Sequence, residues 1–234
     1  MFDKIINYGD SFTTAHQCQC AEDNLGFRKL FNDYPAETFI NRAKSGNNFS
    51  YMFLEASHDA ITQQGKLLQI VSLGVLQRLP LYTDGWYDKE TLKTNNSLTD
   101  CQKYFETLYV KDLHDPKLTN LYHPTLIYAE LFNKMQHLHE LAEKNSNKIV
   151  FVHMFHKDKE YNERHPLIEP FENNVLQIGN YFDHTLSCNN ICFNAGIEPV
   201  DADKYGRNGH HGAEGQKMFA DHMSDNIKKY LKIS

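Results

Sequence analysis

The sequence predicts a three-layer α/β/α sandwich of the flavodoxin-like kind, with a parallel sheet of roughly five strands. Three observations predict it. Short apolar runs alternate with longer segments of helical period along the 234 residues. Each run has the continuous apolar character of a strand buried on both faces, and each leads into a polar or Gly-containing loop. Alternating β and α implies parallel strands joined by right-handed crossovers.

Taken in order, the expected strands are Lys4 to Tyr8, Thr38 to Asn41, Leu67 to Leu73, Ile149 to Met154 and a short piece from Ile191 to Phe193. Helical patterns fall between them, over Leu25 to Asn32, Phe49 to Gln63, Thr125 to Glu143 and Glu172 to Tyr181. In the third of these, Leu126, Ala129, Leu131, Met135, Leu138 and Leu141 form one apolar stripe. Met218, Phe219, Met223, Ile227 and Leu231 mark a last helix. The interval 79–124 is the least regular. Its Leu-Pro, Asp-Gly-Trp and Asn-Asn-Ser signals predict a loop-rich insertion with one helix near Asp100 to Asp112, within a single domain over 1–234. That insertion follows the third strand, so it is expected over the sheet's C-terminal edge as a substrate lid.

Composition narrows the partners. A formal charge of −6 with 24 Lys and Arg, and no basic run, argues against a nucleic-acid surface. No apolar stretch approaches a membrane span, and a strand starting almost at Met1 leaves no space for a signal peptide, so a cytoplasmic location is expected. Five cysteines fit free thiols in a reducing compartment better than a disulfide framework. Neither Cys18-x-Cys20 nor Cys188-x-x-x-Cys192 has zinc-ribbon spacing, and no metal or other cofactor is expected. Most of the 13 histidines, His137, His139, His153 and His156 among them, are expected at the surface or in packing.

The chemistry is expected at the two ends of the chain. Ile5-Ile6-Asn7-Tyr8-Gly9-Asp10-Ser11 sets a serine hydroxyl at the C-terminal end of a strand, where open α/β sheets collect ligands and catalytic groups. Taken alone, Ser11 also suits a helix N-cap. A serine nucleophile needs a base, and Gly206 to Gly215 is a Gly-rich loop carrying His210 and His211 just before the last helix.

Together these two segments resemble the SGNH, or GDSL, hydrolase superfamily. The first matches its Gly-Asp-Ser block, and the last its Asp-x-(x)-His block, with His210 five residues before Gly215. The resemblance implies a serine esterase with Ser11 as nucleophile and His210 as base. Counting three residues on from Asn208 favours His211 instead, and a His211 that is not the base is expected as a possible substrate contact. Asn41 to Phe49 is similar to the oxyanion block of a branch often found in phage genomes. That similarity implies Gly46 and Ser11 as backbone donors and Asn48, or else Asn47, as the side-chain donor. It also implies Arg78 as a substrate contact, with a solvated or salt-bridged side chain as the plain alternative.

Two positions depart from the family pattern. Leu76 stands where a family asparagine donates to the oxyanion, and Asn208 stands where an aspartate orients the imidazole, with Asp201 or Asp203 as possible stand-ins. The expected substrate is a small polar ester, including O-acetylated carbohydrate. The alternative is a weak or inactive SGNH scaffold, such as a virion component that binds glycan or a protein partner. A third reading, a flavodoxin-like phosphate binder at residues 9–14, lacks a Gly-x-Gly-x-x-Gly or Walker loop.

Overall fold

The structure is a computed structural model that describes residues 2–10, 13, 38–43, 47–73, 78–82, 105–109, 124–154, 166, 168–182, 186–200, 202–205 and 209–232. Five parallel strands form the main sheet: β1 (Lys4–Tyr8), β2 (Phe39–Asn41), β3 (Leu67–Leu73), β6 (Lys148–His153) and β7 (Tyr181–Phe182). Their spatial order is β2-β1-β3-β6-β7. In sequence rank this is 2-1-3-4-5, the flavodoxin-like arrangement, whose strand order reverses between β1 and β3.

Helices cover both faces. On one lie α1 (Phe49–Thr62), α2 (Pro124–Lys144) and α3 (Glu169–Ile178), packed over Ile6, Tyr8, Val71, Leu73 and Phe151. On the other lie α4 (Cys188–Asn194) and α6 (Ala213–Leu231), packed over Ile5, Leu68, Ile70, Val150 and Val152. A four-residue α5 (Ala202–Tyr205) lies between them in sequence. Alternate residues of each central strand enter opposite cores, which is why the strands read as unbroken apolar runs. All seven residues of β3 are buried, Gln69 and Ser72 included. Gln69 Nε2 donates to the Tyr8 hydroxyl at 3.0 Å and to the Ala56 carbonyl at 2.7 Å.

The sequence misplaces three elements. The segment 191–193 is not a strand but part of α4, capped by Ser187, whose hydroxyl accepts from the Asn190 N–H at 3.3 Å. Its buried positions 188, 191 and 192 have helical spacing, a pattern that three residues read alone cannot reveal. The fifth strand is instead Tyr181–Phe182, whose first residue the sequence assigns to the end of a helix. Gly179, at φ 76°, stops that helix in a left-handed turn, and the Asn180 carbonyl then accepts from the Phe151 N–H at 2.9 Å.

The helix expected near Asp100 to Asp112 is replaced by β5 (Phe105–Tyr109), paired antiparallel with β4 (Arg78–Tyr82). Phe105, Thr107 and Tyr109 favour strand, and Pro80 is tolerated because a two-stranded ribbon consists of edges. Within α2 the core face is carried by Ile127, Tyr128, Leu131, Phe132, Met135 and Leu138, whereas Leu126 is exposed. The helix expected over Leu25 to Asn32 lies outside the described residues. No helix of the described residues is long and apolar enough to cross a membrane.

Candidate functional site

At the reversal point of the sheet, β1 and β3 end side by side. Gly9 follows β1 where nothing larger than hydrogen fits: a Cβ there would overlap Thr13 Oγ1 and lie 3.2 Å from Ser72 Cβ. The chain then turns. The Asp10 carbonyl accepts both the Thr13 N–H and the Thr13 hydroxyl, each at 3.1 Å. Asp10 is fully buried. Ser11 occupies the chain within this turn and lies outside the described residues.

A polar ladder runs across the strands beneath the turn, on the face of the sheet that α4 and α6 cover. Ser72 Oγ donates to Asn7 Oδ1 at 3.2 Å, Asn7 Nδ2 donates to Asn41 Oδ1 at 3.0 Å, and Asn41 Nδ2 donates to the Thr13 carbonyl at 3.2 Å. These contacts satisfy groups that would be costly if buried unpaired. The sequence places Asn41 at the start of the oxyanion block but gives no sign of this ladder, because its members are 34 and 65 residues apart.

The segment before α1 docks on the same turn. Asn47 Nδ2 donates to the Gly9 carbonyl at 3.2 Å, and Asn47 Oδ1 accepts from the Asn48 N–H at 3.1 Å. Asn48 is the N-cap of α1, its Oδ1 accepting from the Tyr51 N–H at 2.9 Å. Asn48 is therefore fastened through its carbonyl oxygen, and its amide nitrogen is its donor group. The structure thus brings Asn47 against the Gly-Asp-Ser block, while Gly46 and Leu76 lie outside the described residues. Arg78 is the first residue of β4, opposite Tyr109.

The histidine loop is held by α4 and α6. α4 starts at the C-terminal end of β6, where the Asn189 N–H donates to the Met154 carbonyl at 3.2 Å. Cys192 Sγ in turn donates to the Gly215 carbonyl at 3.4 Å, tying α4 to the first turn of α6. The His210 carbonyl accepts from the Val200 N–H at 2.8 Å.

The two histidines differ. His210 keeps 8 % of its surface, whereas His211 keeps 1 %, and among the described residues neither His211 ring nitrogen has a nitrogen or oxygen partner. The His211 ring lies instead among Cys192 and Gly215. A Cβ on Gly215 would stand 2.8 Å from His211 Cβ and 3.1 Å from Cys192 Sγ, so glycine is needed there for close approach. The hydrogen bond with Cys188, followed by the bond and charge of His211, lowers the Cys192 thiol to about 6 against the opposing effect of burial. Reading only 191–193 as a strand hides this cluster, since it leaves Cys188 outside α4, the element it shares with Cys192.

Asn208 and Asp201 lie outside the described residues, and Asp203 is exposed on α5. His153, expected in packing, is buried with Nε2 at 2.8 Å from the Tyr181 hydroxyl. Cys188 and Cys192 are buried and in no disulfide. Among the described residues no three His, Cys, Asp or Glu side chains are grouped to hold a metal ion.

No family model and no curated protein matches the sequence. Solved structures share the fold. A protein assigned to the lipolytic G-D-S-L family from Desulfitobacterium hafniense DCB-2 superposes with a TM-score of 0.51 at 13% identity, over 96% of this chain and 99% of its own. The psychrotrophic esterase EstA from Pseudoalteromonas sp. superposes with a TM-score of 0.50 at 15% identity, over 98% of this chain and 99% of its own.

Proposed function

We infer that this chain, whose fold is that of the SGNH or G-D-S-L hydrolases, is a serine esterase acting on small polar esters. One observation carries the reading most: the Asn47 side chain grips the Gly9 carbonyl. Two sequence blocks 38 residues apart, one for a nucleophile and one for an oxyanion, are thereby fastened together at the sheet's reversal point.

In the mechanism, His210 takes the proton from Ser11 Oγ as that oxygen attacks the ester carbonyl. The carbonyl π pair moves onto oxygen, where the Ser11 and Gly46 backbone N–H groups and the Asn48 amide receive the charge. Collapse expels the alkoxide, which His210 protonates to the alcohol as it leaves. Water then repeats the cycle on the acyl-enzyme. The burial of His211 beside Cys192 supports His210 as the base. The amide of an asparagine can accept a hydrogen bond from an imidazole but brings no charge to an imidazolium, and a comparable Asp-to-Asn exchange in serine proteases costs roughly 10⁴ in rate. A weakened base suits alkoxide leaving groups, hence esters rather than amides. O-acetyl groups on carbohydrate fit the acidic chain.

Asn208 also favours a second reading, an SGNH scaffold that binds glycan or a protein partner without turnover. p-Nitrophenyl acetate hydrolysis separates the two. The esterase hydrolyses it, Ser11→Ala and His210→Ala lose at least about 10³-fold, and a folded His211→Asn variant keeps more activity than His210→Ala. A folded wild type with no turnover supports the scaffold.

A further inference from the structure

Asn41 ends β2 on the edge of the sheet, and its one amide group holds three other parts of the chain. Nδ2 donates to the Thr13 carbonyl at 3.2 Å. Oδ1 accepts from Asn7 Nδ2 at 3.0 Å and from the Ala43 N–H at 3.0 Å. Thr13 closes the turn around Ser11, and Ala43 opens the stretch that leads to Gly46, Asn47 and Asn48. Asn7 passes the linkage on to Ser72, the side chain against which Gly9 packs. Beside it, the Arg42 N–H donates to the Asn7 carbonyl at 2.8 Å, extending the β1–β2 ladder by one rung.

An amide fits this place because it offers a donor at one end and an acceptor at the other, held in one plane. A carboxylate could serve only the acceptor side, and an aliphatic side chain neither.

We propose that Asn41 is a positioning residue that fixes the nucleophile turn at residues 10–13 relative to the oxyanion segment at residues 43–48. The proposal rests on the esterase reading. Asn41 itself touches no substrate. It acts through Thr13 on one side and Ala43 on the other, and a displacement of about 1 Å between reacting groups can cost about 10²-fold in rate.

Asn41→Asp in the full chain cuts the linkage on one side only. The carboxylate still accepts from Asn7 and Ala43, but it cannot donate to the Thr13 carbonyl and it repels that oxygen. The expected result is a fall in kcat for p-nitrophenyl acetate of about 10–100-fold, with KM within about threefold. Hydrogen exchange should quicken in peptides covering residues 10–14 and stay at wild-type rates over 42–48. Asn41→Ala, which severs both sides, should quicken exchange in both segments. An unchanged kcat in Asn41→Asp would overturn the proposal, as would exchange that rises across the whole sheet. Failure of Asn41→Asp to fold would also overturn it, since the residue would then be a plain determinant of the fold. If the wild type neither hydrolyses the ester nor reacts with a fluorophosphonate, the esterase reading fails alone, and the two exchange patterns still decide whether Asn41 links the segments.

Discussion

Asp59 on α1 is the acceptor at the centre of a buried cluster behind the site, and Asp59→Ala gives a stability loss that can be worked out from its partners. The carboxylate accepts from the Tyr8 hydroxyl at 2.8 Å, from Arg42 Nη2 at 3.1 Å and from Gln63 Nε2 at 3.2 Å, and Arg42 Nε stands 2.7 Å away as the ion-pair partner. Tyr8 is fully buried, and burial together with the Asp59 charge keeps its phenol well above the usual range, so the hydroxyl stays a donor. Stranding that donor costs about 1–3 kcal/mol. The Arg42 side chain is 31% exposed and regains water, so its loss is discounted to about 0–1 kcal/mol. The sum is roughly 1–4 kcal/mol, which lowers Tm by about 2–16 °C in a chain of this size.

Urea and thermal unfolding of Asp59→Ala, Tyr8→Phe and the double variant measure it. Tyr8→Phe removes the stranded donor, so the double variant should lose at least about 1 kcal/mol less than the sum of the singles. Additive losses, or an Asp59→Ala variant within about 0.5 kcal/mol of wild type, would refute the reasoning.

Gly9→Ala drives a methyl group into Thr13 Oγ1 and against Ser72, so it should cost about 1–3 kcal/mol and cut ester turnover well beyond its effect on KM; urea unfolding and steady-state kinetics check both. Cys192 gives a pH signature. Its thiol is lowered in the folded state to about 6 by its bonds to Cys188 and His211, so from about pH 6 to 8.5 the unfolded chain binds the extra proton. The stability advantage of wild type over Cys192→Ser should therefore be fully present above about pH 8.5 and disappear as pH falls through 6, read from unfolding midpoints across that range. Asn208→Asp restores a charged partner for the imidazole and should raise kcat by about tenfold or more, with the acid limb of the pH–rate profile as the check.

The sheet was legible in the sequence wherever a strand is buried on both faces. β1 and β3 match their apolar runs because Ile5, Ile6, Tyr8, Leu68, Ile70, Val71 and Leu73 alternate between the two cores. β7 was not legible, since two residues cannot display a period and its pairing is set by Gly179 and the Asn180 carbonyl. α4 was missed for the converse reason: Ile191-Cys192-Phe193 reads as a strand until Ser187 is seen as a cap. The glycine after β1 and the opening of α1 at Asn48 were legible through block spacing. The Asn7–Asn41–Ser72 ladder and the Cys192–His211 contact were not, because each joins residues distant in sequence, and polar pairing across a sheet leaves no local pattern.

The central claim is a serine hydroxyl at position 11 activated by the histidine at 210, and covalent capture tests it most directly. A fluorophosphonate, which forms a covalent bond with an activated serine hydroxyl, is the probe. Intact-mass and peptide mass spectrometry after reaction should find one phosphonyl group, on Ser11, absent in Ser11→Ala and formed at least about 10³-fold more slowly in His210→Ala. A folded chain left unmodified, or modified at another residue while Ser11 stays free, would contradict it.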